Sequence, residues 1–229
     1  MSAIEFQNVS FAYPGGHEVL RSVSFSVQPG EKVALVGLNG SGKSTLLLHT
    51  NGLLLADSGT VSVNGKVIDR KSVEECRKSV GMVFQNADDQ LFMPTVEADV
   101  AFGPRNMGFS EEEIKRRVEK ALRQTGCSEL KDRAPFHLSG GQKKMVSIAT
   151  VLSMEPEILV FDEPTSGLDF AAEAQFIGIV DRLPHTILMS THDMELARRL
   201  CARAILMDHG AISYDGPIDT LPYPLVSTL

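Results

Sequence analysis

Gly37-Leu38-Asn39-Gly40-Ser41-Gly42-Lys43-Ser44 follows the apolar run Val33-Ala34-Leu35-Val36 and leads into Leu46-Leu47-Leu48. The run reads as a buried strand and the leucines as the first apolar positions of a helix, so the glycine-rich octet is a strand-to-helix loop. It satisfies G-x-x-x-x-G-K-[ST] in the context that gives this motif meaning. Glycines let successive backbone N–H groups curl around phosphate oxygens, and the helix that follows adds its positive end. Lys43 is then expected to reach the β- and γ-phosphates, and the Ser44 hydroxyl to ligate Mg²⁺. Alone, the octet specifies a nucleoside triphosphate site or a nucleotide kinase and no more.

Working outward, Ile158-Leu159-Val160-Phe161 is a second fully apolar strand, and it ends in Asp162-Glu163. Strand alternation would send these two carboxylates to opposite sides, Asp162 to the metal and Glu163 to an attacking water. Ile187–Met189 and Ala204–Met207 are further buried strands, with helical stretches at about 171–182 and 194–202 between them. Strands alternating with helices specify a mostly parallel core sheet, hence an α/β fold, and the glycine-rich octet makes a P-loop NTPase core the expectation. Before and after the octet the texture differs. Ile4 and Phe6, then Val23, Phe25 and Val27, alternate with polar residues around Pro14-Gly15-Gly16, and Asn64-Gly65 sits between Val61, Val63 and Val67. That is a small antiparallel β-subdomain with an Asn-Gly hairpin. From about residue 86 the pattern turns helical. Ser110 with Glu113 and Ser139 with Gln142 have capping-box spacing, and Gly126 and Pro156 supply stops. One domain spanning 1–229 is expected, with a helical subdomain inserted at about 86–156.

With 229 residues, 43% hydrophobic and 22% charged, the chain has enough apolar content for a sizeable core and too much for disorder. Its net charge of −7 argues against a nucleic-acid partner, since phosphate backbones are held by Lys and Arg. No apolar run reaches the roughly 18–20 residues of a membrane span. Met1-Ser2-Ala3-Ile4-Glu5 lacks the basic start and apolar stretch of a secretory leader. Cys76, Cys127 and Cys201 are scattered, so buried free thiols in a reducing compartment are expected.

Leu138-Ser139-Gly140-Gly141-Gln142 lies between the phosphate loop and the two-carboxylate strand. Alone it is a capping box with a Gly-Gly start. In this order the chain resembles the nucleotide-binding subunits of ABC (ATP-binding cassette) transporters, whose signature motif is L-S-G-G-Q. The remaining landmarks of that family have matches: Tyr13 for the adenine-stacking aromatic, Gln85 for the Q-loop, Ser166-Gly167-Leu168-Asp169 for the D-loop and His192 for the switch histidine. The resemblance covers about residues 4–215. It implies a signature-motif helical subdomain, ATP and Mg²⁺ as cofactors, and catalysis by Glu163, His192 and Gln85. Ser44, Gln85 and Asp162 would hold the metal. Nucleotide would meet Tyr13, Gly37, Asn39, Gly40, Ser41, Gly42, Lys43, Ser44 and Thr45 of one subunit. From a head-to-tail second subunit it would meet Ser139, Gly140, Gly141, Gln142 and Asp169.

Gln85-Asn86-Ala87-Asp88-Asp89-Gln90-Leu91-Phe92, with Thr95-Val96-Glu97 and Asp99 through Pro104, is similar to the energy-coupling-factor ATPases and their cobalt and nickel relatives. This implies import of a vitamin, with biotin slightly preferred, or of a cobalt or nickel ion. The partners implied are a second ATPase subunit (homodimer or paralogue), a membrane coupling subunit at Gln85, Asp88 and Asp89, and, indirectly, a substrate-capturing membrane subunit. The place implied is the cytoplasmic face of the cell membrane, as a peripheral subunit. Many relatives continue into a C-terminal dimerisation segment where this chain passes Pro222-Tyr223-Pro224 to Leu229, which counts against dimerisation without ATP. The alternative from another class is a soluble ABC ATPase without a transport role, of the iron–sulfur assembly type.

Overall fold

The computed structural model describes residues 1–222. The C-terminal feature from Tyr223 to Leu229 lies outside the described residues. The chain forms two compact units, one of Met1–Val80, Glu157–Glu163 and Pro184 onward, the other of Gly81–Pro156 and Pro164–Leu183.

The first unit holds two sheets. In the antiparallel one, β1 (Ile4–Tyr13) lies between β2 (His17–Val27) and β4 (Ser58–Val63), and β5 (Lys66–Val67) closes the order β2-β1-β4-β5. Register follows the alternation read from sequence. Phe6 pairs with Phe25 and Val61, and its ring stacks on Phe25 at 4.7 Å. Burying each such ring stabilises the sheet by about 1.5–3 kcal/mol. The hairpin from β4 to β5 turns on Asn64 and Gly65, both at positive φ (49° and 76°), the conformation that a two-residue turn of this hand requires.

The other sheet runs β10-β9-β3-β8-β7 through this unit. β3 (Lys32–Val36) is parallel to both β8 (Thr186–Ser190) and β9 (Arg203–Asp208), and β7 (Ile158–Asp162) is parallel to β8. Strands buried on both faces need no alternation, which is why these read as continuous apolar runs. β10 (Ala211–Pro217), antiparallel to β9, was not legible in the sequence, because its residues are half-buried or exposed. Pairings Leu35 with Ser190 and Asp162 with Ser190 bring the carboxyl ends of β3, β7 and β8 to one edge. Among the described residues the unit also holds the short α-helices α1 (Lys43–His49), α2 (Val73–Ser79) and α7 (Met194–Leu200).

β6 (Val80–Val83) leads the chain into the second unit, which is helical: α3 (Val96–Asn106), α4 (Glu111–Thr125), α5 (Gly140–Leu152) and α6 (Phe170–Asp181). Of the two expected capping boxes only one is reciprocal. At Ser139 the hydroxyl accepts from the Gln142 N–H while the Gln142 amide oxygen accepts from the Ser139 N–H. At Ser110 the hydroxyl accepts from the Glu113 N–H. The Glu113 carboxylate does not return the bond; Arg116 and Arg117 hold it instead, and they draw its pKa down to about 2. Cys76, Cys127 and Cys201 are free and buried. Among the described residues no helix is long and apolar enough to cross a membrane.

Candidate ATP site

The phosphate loop owes its path to three glycines at positive φ with different neighbours. A Cβ on Gly37 (φ 149°) would come within 2.3 Å of the Met207 carbonyl oxygen, and one on Gly42 (φ 106°) within 3.0 Å of that of Val19. Gly40 (φ 80°) faces open space. Two of the three therefore press the loop against β9 and β2, and the third keeps its outer rim clear. The loop is also tied down by backbone, the Gly210 N–H donating to the Ser41 carbonyl, and the end of β3 that leads into it by the Thr191 N–H donating to the Leu35 carbonyl.

Lys43, although charged, is buried, and its ammonium donates to the carbonyls of Gly37 (2.9 Å) and Leu38 (3.2 Å). Asn39 and Ser44 are exposed. α1 starts without a capping side chain, so no side chain competes for its first-turn amides, and the buried Ser41 Oγ has no partner. A lysine, uncapped helix amides and a spare hydroxyl form a donor set that fits phosphate. Thr45 is buried and its hydroxyl meets that of Tyr13 at 3.3 Å. Tyr13 is half exposed and packs edge-on against Phe11, leaving one face for a base.

β7 stops at Asp162, and Glu163 adopts φ 42°. Strand alternation therefore does not separate the two carboxylates, as the sequence suggested; a left-handed backbone at Glu163 does. That conformation is uncommon outside glycine, and surrounding bonds must hold it. They come from Ser190. Its carbonyl and its hydroxyl both accept from the Glu163 N–H (3.2 and 2.9 Å), and its hydroxyl donates to Asp162 Oδ1 (2.6 Å). Asp162 Oδ2 keeps its lone pairs, suited to a metal-bound water. The Glu163 carboxylate, almost wholly buried, lies between two cationic or polar partners. Oε2 is 2.7 Å from His192 Nδ1, and Oε1 is 3.8 Å from Lys43 Nζ. The His192 ring is mostly exposed, so its Nε2 is left for a ligand. Among the described residues no three His, Cys, Asp or Glu side chains cluster as a metal cage. The donors at hand, a hydroxyl and a carboxylate beside a phosphate site, suit Mg²⁺, which keeps several waters.

Tyr13, the loop, Asp162, Glu163 and His192 thus belong to the first unit. Gln85, Asp88, Asp89, Ser139–Gln142 and Asp169 belong to the second. There, the side chains of Gln142 and Asp169 are engaged in capping, Asp169 accepting from the Ala172 N–H at 2.8 Å. A Cβ on Gly140 would meet nothing within 4 Å, whereas one on Gly141 would lie 2.7 Å from that of Ala172. Gln85 is exposed. Asp88, expected to meet the membrane coupling subunit, already pairs with Lys143 within the chain at 2.6 Å. Sequence reasoning missed Ser190 and Lys144. The available signals were a hydroxyl ending an apolar strand just before Thr191-His192, and a lysine on the same helical face as Ile148 and Val151.

Comparison with known proteins agrees with this geometry. The family model described as "ABC transporter" matches residues 20–166. The energy-coupling factor transporter ATP-binding protein EcfA of Methanocaldococcus jannaschii is 46% identical over 221 residues, 94% of this chain and 79% of the relative. The solved structure of cbiO1 from Clostridium perfringens, part of the ABC transporter complex cbiONQ, superposes with a TM-score of 0.86 at 38% identity, covering 95% of this chain and 89% of that one. The dimeric structure of the bacterial ABC transporter cassette MJ0796 does so with a TM-score of 0.84 at 27% identity, covering 94% and 98%. A phosphate loop, a paired carboxylate edge and an L-S-G-G-Q helix, together with these matches, have one meaning: the chain belongs to the ABC transporter family, as one of its ATP-hydrolysing, ATP-binding domains.

Proposed function

We propose that the chain is the energy-coupling ATPase of an energy-coupling-factor-type importer, working on the cytoplasmic face of the membrane as one cassette with its helical subdomain inserted at about 86–156. The observation that carries the catalytic part is the placement of Glu163. A carboxylate fixed by a left-handed backbone, hydrogen-bonded to His192 and facing Lys43, is a positioned general base beside a phosphate site. Lys43 and the loop amides bind the β- and γ-phosphates, and Tyr13 stacks on the base. Glu163 takes a proton from the attacking water, and His192 holds Glu163 by donating from Nδ1; with both ring nitrogens protonated, its Nε2–H donates to the γ-phosphate. Ser44, Gln85 and, through water, Asp162 would hold Mg²⁺, which would supply charge neutralisation on the phosphates.

Ser139, Gly140 and Gly141 then serve the nucleotide of a second subunit, identical or paralogous, packed head to tail. The capped, positive start of α5 and the open space at Gly140 support this reading, as does a relative solved as a dimer. ATP closes such a dimer, and loss of the γ-phosphate bridge reopens it. The EcfA and cbiO1 relatives and the stretch 85–104 support a membrane coupling subunit as partner. The cargo, a vitamin (biotin by slight preference) or a cobalt or nickel ion, is captured by another membrane subunit. The test mixes Ser139→Arg with Lys43→Ala subunits. Each mutant dimer is inactive, and the mixture recovers turnover because one composite site is intact. Absence of recovery in mixed dimers shown to form refutes the shared site. Failure to co-purify with any membrane subunit from solubilised membranes refutes the importer.

A further inference from the structure

The segment that carries Gln85 is bound to the helix that carries the signature motif, and one buried cation bonds the Gln85 carbonyl itself. Lys144 is 2% exposed. Its ammonium donates to the Phe84 carbonyl at 2.9 Å and to the Gln85 carbonyl at 2.7 Å. Hydrogen bonds from an ammonium are roughly twice as strong as neutral ones, and a buried ammonium is held firmly to its acceptors. Gln90 adds a second tie. Its side-chain amide donates to the Ser147 carbonyl (2.8 Å) and the Thr150 hydroxyl (2.7 Å), while its oxygen accepts from the Phe84 N–H (3.2 Å). The residues it bridges, and Lys144 itself, lie within the helical unit.

From Ser139 to Lys144 is five residues along α5, or about 7.5 Å at 1.5 Å per residue. A shift of the Gln85 backbone therefore cannot occur without moving α5 or breaking two charge-assisted bonds. We infer that Lys144 is a positioning residue that locks the Gln85 segment to the signature helix. The group sensing one nucleotide and the group contacting the nucleotide of the opposite site thus move as one body. This rests on the roles proposed above for Gln85 and Ser139. Lys144 itself touches no substrate.

The experiment is a double-mutant cycle on turnover in the purified full-length chain with MgATP, with hydrogen exchange measured on the same proteins. Lys144→Met keeps the length and the apolar stem but removes the donors. Gln85→Ala removes the side chain that Lys144 positions. Each single change should lower kcat by about tenfold, and the double change by about the same tenfold and not a hundredfold, because the two act through one element. Exchange at residues 84–90 should quicken in Lys144→Met while residues 37–45 keep wild-type protection. Lys144→Gln, which retains an amide donor, should recover part of the lost turnover, and it takes over the cycle should the methionine variant fail to fold. Multiplicative losses, or unchanged exchange at 84–90, overturn the positioning role alone. Wild-type turnover in Gln85→Ala overturns the role given to Gln85, and this inference with it.

Discussion

The two glycines of the signature motif are chemically alike and structurally opposite, which makes them a sharp test. A methyl group added at Gly140 meets nothing within 4 Å, while one at Gly141 would sit 2.7 Å from the Ala172 Cβ on α6. Ordinary contact begins near 3.4 Å, so Gly141→Ala is about 0.7 Å too close to an atom that has no rotamer to escape into. α5 and α6 must separate, at the usual overpacking cost of about 1–3 kcal/mol. Gly140→Ala instead removes backbone freedom from the unfolded chain at a helical position, for a gain of about 0.5–1 kcal/mol. At about 2–4 °C per kcal/mol for a chain of this size, Tm should fall by about 2–12 °C in Gly141→Ala and rise by about 1–4 °C in Gly140→Ala. Ala172→Gly removes the obstructing atom, so the pair Gly141→Ala with Ala172→Gly should be more stable than the sum of its parts by at least about 0.5 kcal/mol. Calorimetry on the four variants decides. ATPase assays should show the reverse ranking for Gly140→Ala, stabilised but slow, because in the head-to-tail dimer proposed above the added methyl would meet the opposite nucleotide. Equal Tm shifts for the two glycines, or additivity in the pair, would refute the division of labour.

Glu163→Gln should bind MgATP and hydrolyse it at least about a hundredfold more slowly, the usual scale for losing a positioned base, whereas Lys43→Ala should lose nucleotide affinity. Nucleotide binding and single-turnover assays separate the two. Burial holds His49 below its ordinary 6.5, Nδ1 bonding the Thr45 carbonyl and Nε2 enclosed without a partner. A depressed histidine is protonated first in the unfolded chain, so its stability contribution is complete above about pH 6.5 and is lost as pH falls below it. Tm measured from about pH 8 to about pH 5.5 should drop on the acid side, and His49→Gln should flatten that drop. Reversing Asp88 and Asp89 to lysine should weaken capture of the membrane subunit several-fold in a pull-down while ATP binding persists. Because Asp88 is already paired with Lys143, Asp89→Lys alone should account for most of the loss.

What could be read from the sequence was whatever depends on neighbours within a few residues. The phosphate loop, the Asn64-Gly65 hairpin and the Ser139 cap are local devices, and each is where its residue types place it. The apolar runs of β3, β7 and β8 are equally plain, since strands buried on both faces leave no polar positions. β10 and α2 escaped notice because they bury too little to leave a period; α2 buries Cys76 alone. The long-range arrangements were also hidden. The left-handed turn at Glu163 is enforced by Ser190, 27 residues away, and the Gln85 segment is held by Lys144, 59 residues away. The lost reciprocity at Ser110 has a similar origin, since arginines compete for Glu113 more strongly than a backbone amide does.

The bonds from Lys43 to the carbonyls of Gly37 and Leu38 bear on how quickly nucleotide can be captured. A lysine waving in solvent must surrender about 2 kcal/mol of rotamer entropy when it grips an anion. Here much of that freedom is given up in the fold itself, because the side chain is buried against carbonyls of its own loop. An incoming phosphate exchanges partners with an ordered ammonium, so association need not wait for a conformational search. Gripping a phosphate is then a matter of swapping bonds, with little rotamer entropy left to lose at that side chain.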